Sequence, residues 1–171
     1  MRLSSLIICL GFILSSITHA QISDAISAAS LSGLTAFNVS IGDASSEARQ
    51  DGLSTEQLLA DVEAKLRTAG IRIIQQPTWI DTIGGAQLFV EANALKHSGA
   101  QYSYCIQITV IQKASLPTKP AHQTLAATWS TSVMGVVGSS SVAAKIREEV
   151  GAETDRFVSS YLTANPTGRK E

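Results

Sequence analysis

Residues 54–70 read STEQLLADVEAKLRTAG, and the architecture can be worked out from this stretch because every local signal in it indicates one amphipathic helix over 55–69. Ser54 is suited to cap the helix, and Gln57 three residues later completes a capping box. Gly70 ends the helix, since a left-handed backbone costs glycine little. Apolar residues recur at helical spacing and form a single stripe, namely Leu58, Leu59, Val62, Leu66 and Ala69.

The segments on either side of this helix alternate apolar and polar residues with a period of two, which predicts strands. The clearest strand runs from Tyr102 to Lys113 and places its tyrosines and isoleucines on one face. A second helix is predicted over 141–162, where Gly151 leaves a bend or a break open. The remaining predicted strands cover residues 37–41, 71–75, 86–96 and 123–133.

The order of these elements is strand, helix, strand, strand, strand, strand, helix, which predicts an α+β fold. The strand–helix–strand start implies a right-handed crossover between parallel strands, and the short later connections imply an antiparallel meander. Two helices and clean alternation favour a two-layer sandwich in which a mixed five-stranded sheet carries both helices on one face. The other face of the sheet is expected to be exposed to solvent.

The N-terminus has the three zones of a cleavable signal peptide over residues 1–20: a positive start, an apolar run and small residues before the cut. The apolar run, Leu6–Leu14, is shorter than the about 20 residues that span a bilayer. Cleavage would leave a single domain over 21–165 and a mobile C-terminal tail over 166–171. We therefore expect an exported protein, periplasmic or secreted, with no transmembrane segment in the mature chain.

Charge and cysteine content narrow the classes of partner. The formal net charge is −1 and the basic residues are scattered, which argues against nucleic acid. Only Cys105 would survive processing, so no internal disulfide is expected. A small, buried, apolar role for Cys105 is favoured, while self-association through its thiol or through an edge strand stays open.

Few residues suggest chemistry. The histidines His97 and His122 fall in predicted loops, and no spacing typical of a metal site occurs, so no cofactor is expected. Trp79, in an irregular stretch, is predicted to be half exposed and to mark a binding surface. The acidic residues of the second helix are predicted to lie on a solvated face. A candidate anion site lies at the start of that helix, although helix capping explains the same serines and is favoured; it comprises Gly138, Ser139, Ser140 and Ser141.

Three segments of the chain resemble those of a family of small exported bacterial proteins whose function is unassigned. They cover residues 52–71, the run Ala127-Thr128-Trp129-Ser130-Thr131 with the glycines that follow it, and residues 155–166. The resemblance implies export and a single fold, and it transfers no catalytic residue. In architecture only, the layout is also similar to small α+β modules that assist assembly at the bacterial outer membrane.

Two functional hypotheses follow. The first is a non-catalytic exported domain that binds a protein or small ligand in the bacterial envelope, through a free edge strand or the polar face of its sheet. The alternative is a secreted hydrolase that uses a serine of 139–141 with His97 or His122. The polar positions on the sheet face are Ser103, Gln107, Thr109, Thr128 and Ser130.

Overall fold

The computed structural model describes residues 26–75 and 78–166. The predicted signal peptide, residues 1–20, lies outside the described residues, and so does the predicted tail from residue 167 onward. The described strands are β1 (Ala36–Ile41), β2 (Arg72–Ile73), β3 (Gly85–His97), β4 (Gln101–Leu116) and β5 (Lys119–Gly138). Residues 26–29 form a short helical segment, and the later helices are α1 (Ser46–Gln50), α2 (Thr55–Thr68) and α3 (Val142–Ala164).

The five strands form one sheet in the order β2-β1-β3-β4-β5. Strand β1 pairs in parallel with β2 and β3, whereas β3, β4 and β5 form an antiparallel meander. The predicted α+β sandwich with a mixed five-stranded sheet is therefore confirmed. The short helix α1 is an addition that the sequence pattern did not predict.

Helix α2 begins as predicted, because the Ser54 hydroxyl accepts a hydrogen bond from the Gln57 backbone amide at 3.1 Å. The Gln57 side chain donates instead to Asp61, so the capping box is only half formed. Gly70 follows the helix with φ of +75°, the left-handed conformation expected of it. The stripe through Leu58 and Leu66 is buried against the sheet.

Helix α3 passes through Gly151 without a break, and this glycine lies beside Lys65 of α2. A Cβ at Gly151 would lie 3.4 Å from the Cε atom of Lys65. Lys65 continues across to Asp155 and pairs with its carboxylate at 2.7 Å. The two long helices are thus joined next to Gly151 by an ion pair at the surface.

The core lies between the helices and one face of the sheet. The side chains of β4 that alternate toward this face are all buried, as predicted: Tyr102, Tyr104, Ile106, Ile108 and Val110. Aromatic rings fill the space under α3, where Phe157 meets Phe37 and Trp129 edge to face. Apart from a short turn over Trp79, the opposite face is uncovered by any helix of the described part of the chain.

Strand β5 is much longer than predicted. The proline-bearing loop that was expected before it shrinks to a turn at residues 117–118, and Leu116 pairs directly with Lys119. An irregular register beside this turn leaves Pro120 and His122 without partners on β4. Proline is tolerated there because the strand lies at the edge of the sheet, where its missing N–H removes no ladder bond.

A bulge at Thr128 inverts part of the predicted alternation in β5. Val110 pairs with Trp129 and Ile111 with Ala127, so Thr128 has no partner on β4. Residues before the bulge consequently alternate in the opposite phase from those after it. Leu125, predicted on the same face as Trp129, instead lies half exposed on the uncovered side.

Candidate functional site

We call the uncovered side of the sheet the open face. Its centre is polar, as predicted, with Ser103, Gln107 and Thr109 on β4 and Ser130 beside them on β5. Thr128 was assigned to the same face but sits in the bulge, where its hydroxyl accepts a hydrogen bond from Gln112 at 2.6 Å. The predicted polar surface is therefore present on the open face, but Thr128 does not belong to it.

One end of the open face carries an apolar patch, defined by Leu95, Met134 and Val136. Their side chains are 66%, 77% and 65% exposed. Leu95 on β3 and Val136 on β5 both pair with Ser103 on the strand between them, so the patch lies on both sides of β4. It lines a depression of about 690 Å³.

Cys105 also lines this depression. It pairs with Met134 on one side and with Asn93 on the other, and it is half-buried. The predicted role as a buried apolar residue is wrong in part, because the side chain belongs to the open face and not to the core. The thiol is thus placed within a solvent-facing surface.

A histidine–serine contact lies at the rim of the patch. The Nε2 atom of His97 is 2.8 Å from the Ser103 hydroxyl, and Ser103 lines the depression. Both histidines occupy strands, β3 and β5, rather than the predicted loops. Within the described residues, His97 and His122 make no hydrogen bond to the serines at 139–141.

The predicted anion site forms the connection between β5 and α3. Gly138 ends the strand, and the next three serines make a 3₁₀ turn whose Ser139 amide donates to the Ala100 carbonyl at 2.8 Å. Ser141 occupies the N-cap position without a side-chain capping bond, so the favoured capping explanation is wrong for its hydroxyl. The anion site at these residues stays a prediction.

Trp79 is not the exposed aromatic that was predicted, because only 4% of it is accessible. It lies in a 3₁₀ turn, Thr78–Ile80, that packs on β1 and β3. Gly85 lies under this turn, and the Trp79 carbonyl occupies the space that a Cβ on Gly85 would need. Burial of the indole therefore depends on a residue without a side chain at the start of β3.

Glu153 of α3 is a buried carboxylate that the helical pattern placed on a solvated face. It is 1% exposed, accepts a short hydrogen bond from the Thr131 hydroxyl, and pairs with Arg156 at 3.3 Å. Thr131 reaches it because this threonine follows Trp129 by two residues on the core side of β5. The adjoining cavity between β5 and α3, about 480 Å³, is lined by hydroxyls and by Arg156, whose side chain is largely exposed.

Two tyrosine hydroxyls near the patch end of the sheet hold charged residues in place. Lys96 pairs with Asp51 and Tyr102 donates to the same carboxylate at 2.7 Å, and both contacts lower the pKa of Asp51. Tyr104 donates to Glu149, whose ion pair with Lys145 raises the pKa of that lysine. These contacts fix the loop before α2 and the start of α3 against β4, so the patch lies on a rigid support.

No family model matches the chain, and the search of curated proteins finds no relative. None of the described helices is long and apolar enough to cross a membrane. Over residues 26–75 and 78–166, no three His, Cys, Asp or Glu side chains converge as metal ligands would. The fold and the surface together define a class: a two-layer α+β domain with one uncovered, largely polar sheet face that carries an apolar patch.

Proposed function

We propose that this protein is a non-catalytic exported domain that binds a partner protein in the bacterial envelope through its open face. The observation that carries the proposal is the apolar patch, with Leu95 exposed on β3 and Met134 and Val136 exposed on β5, on either side of β4. Contiguous apolar surface of this kind marks interaction sites, whereas scattered apolar residues need no explanation. The partner would therefore be expected to present apolar side chains to the depression.

The surroundings of the patch support the same function. Protein interfaces have an apolar centre and a polar rim, and burial of the apolar centre favours association. Asn93 and Ser103 border the patch, and Gln107 and Thr109 continue the polar surface along β4. Such a rim supplies hydrogen bonds that orient a partner while the patch supplies affinity.

Export is the second part of the proposal and is supported by the sequence of residues 1–20. A signal peptide cleaved after Ala20 would release a chain beginning at Gln21 into the periplasm or the medium. The core between the helices and the sheet needs no disulfide, which suits a mature chain with one cysteine.

Site-specific photo-crosslinking in bacterial cells tests the proposal. A benzophenone amino acid replaces Leu95 in one variant and Ile83 in a control, because Ile83 is 96% exposed but lies in a turn far from the patch. We expect the position-95 probe alone to give an adduct with a different protein. The adduct is expected in the periplasmic or secreted fraction, and the N-terminal residue of the protein in it is expected to be Gln21. Equal adducts from both probes, or none from position 95, would contradict the proposal.

The contact between His97 and Ser103 favours a second candidate, a hydrolase in which His97 takes the proton of the Ser103 hydroxyl. A nucleophile also needs a third group that orients the base, and among the described residues the His97 ring hydrogen-bonds only to Ser103. We therefore rank it below binding. A fluorophosphonate probe separates the two: the binding domain is expected to stay unlabelled, whereas labelling that Ser103→Ala and His97→Ala both abolish would establish the hydrolase.

A further inference from the structure

We propose that a second copy of this chain pairs with the free edge of β5. The two β5 strands would run antiparallel about a twofold axis at Met134 and join the two sheets into one. This inference does not require the proposed function, because it is argued from the hydrogen-bonding edge of β5; Met134 and Val136 of the patch lie along that edge.

Past the bulge at Thr128, the edge of β5 lacks the features that normally prevent strand pairing. The strand is 20 residues long and forms one border of the sheet. Natural edges are usually guarded by charged side chains or proline, yet residues 123–138 contain neither. A long, uncharged edge of this kind is expected to be covered by another strand.

The same chain closes only one part of this edge. The hydroxyls of Ser27 and Ser30 donate to the Thr128 carbonyl at 3.3 Å and 3.0 Å, next to the bulge. Beyond that point, residues 130–138 continue as regular strand, and within ranges 26–75 and 78–166 they pair with β4 alone. The available edge is therefore a defined segment with a fixed start.

The backbone register shows which groups face outward. Ser139 donates to Ala100, and in an antiparallel ladder hydrogen-bonded pairs alternate with non-bonded pairs. Odd-numbered residues of this segment thus bond to β4, while even-numbered residues point their N–H and C=O groups away from the sheet. The outward set is Ser130, Ser132, Met134, Val136 and Gly138.

This outward set is complementary to itself. With Met134 opposite its own copy, Ser132 of one chain pairs with Val136 of the other, and Ser130 pairs with Gly138. Every outward residue then has an outward partner, so the ladder closes without a register shift. Because opposite side chains share a face, Met134 meets its twin and covers part of the most exposed side chain of the patch, while Leu95 on β3 stays free.

The helical layer fits the same arrangement. Helix α3 packs on β4 and β5 and, less extensively, on β3, so we place its axis over the half of the sheet next to this edge, between β4 and β5. Adding one strand spacing of about 4.8 Å between the two β5 strands places the two copies of α3 about 10 Å apart. That separation is the usual distance between packed helices, so we expect the two copies of α3 to contact each other.

Light scattering of the mature protein on a sizing column tests the inference. We expect a dimer, a Ser132→Pro variant that dimerises at least tenfold more weakly, and a Ser132→Ala control that remains a dimer. Proline removes an N–H that points away from β4, whereas alanine keeps it. Circular dichroism is the control that checks whether the proline variant is folded. A monomeric wild type at about 100 µM, or a folded proline variant that is still dimeric, would overturn the proposal.

A cross-link provides a second readout that does not depend on the proline variant. In a Cys105→Ser background, Met134→Cys places two thiols opposite each other with Cα atoms about 5.5 Å apart, within the range of a disulfide. We expect mild oxidation to yield a covalent dimer, whereas Leu125→Cys in the same background stays monomeric because it lies before the bulge. Absence of the Met134→Cys dimer would refute the register.

Discussion

Phe157→Ala is expected to lower the free energy of unfolding by about 3–5 kcal/mol, the largest loss that a single substitution should cause here. The Phe157 ring is fully buried and contacts Phe37 at 5.2 Å and Trp129 at 5.5 Å between ring centroids. It therefore connects α3 to two different strands of the sheet. The cavity left behind cannot close, because its other walls are side chains anchored in paired strands.

Urea denaturation followed by circular dichroism measures this loss, with an unchanged m-value as evidence that the folded state is intact. Leu162→Ala is the matched control, since Leu162 lies in the same helix but is 42% exposed. Its substitution is expected to cost less than about 0.5 kcal/mol. A loss below about 1.5 kcal/mol for Phe157→Ala would show that α3 is not held by this ring.

The parts of the fold that could be predicted are those that local physics determines. Helix α2 has its cap, its stripe and its terminal glycine within 17 consecutive residues, so no distant contact is needed to define it. The core face of β4 was equally clear, because strict alternation from Tyr102 to Val110 leaves only one side suited for burial. The mixed sheet followed from element order and the handedness of crossovers.

The parts that could not be predicted depend on pairing between distant segments. The bulge at Thr128 arises where β4 and β5 differ by one residue in length, and neither strand alone reveals that difference. One extra residue in β5 reverses the sheet face to which each preceding side chain of the strand points. Leu125 therefore lies on the open face and not on the core face. Trp79 was misplaced for a similar reason, since its burial depends on the absent side chain of Gly85.

The candidate site also has one part that could be predicted from the sequence and one part that could not. Its polar half, with Ser103 and Thr109, follows directly from the alternation in β4. Its apolar half could be predicted only if Met134 and Val136 were assigned to a strand, but the glycines around them suggested a loop. Gly135 in fact lies over the Tyr104 ring, where any side chain would collide with the phenol, so that glycine permits close packing instead of a turn.

Gly85→Ala should produce the second-largest loss of stability, about 1–3 kcal/mol, although alanine is a better strand residue than glycine. The new methyl group would meet two backbone carbonyls, those of Trp79 and Thr82, and carbonyls held in a turn cannot swing aside as a side chain can. The turn must lift from the sheet and expose the buried indole. Tryptophan fluorescence during urea denaturation therefore reports both the loss and its cause, as a red-shifted emission of the folded state.

Gly138→Ala separates this steric effect from the general consequence of removing a glycine. Gly138 ends β5, has φ of −70°, and has nothing within 4 Å of the position that a methyl group would occupy. Alanine there is expected to be neutral or to stabilise the protein by about 0.4–1 kcal/mol, because it restricts the unfolded chain. If both substitutions changed the stability equally, the turn would not be clamped on β3, and the uncovered face would extend over the whole sheet.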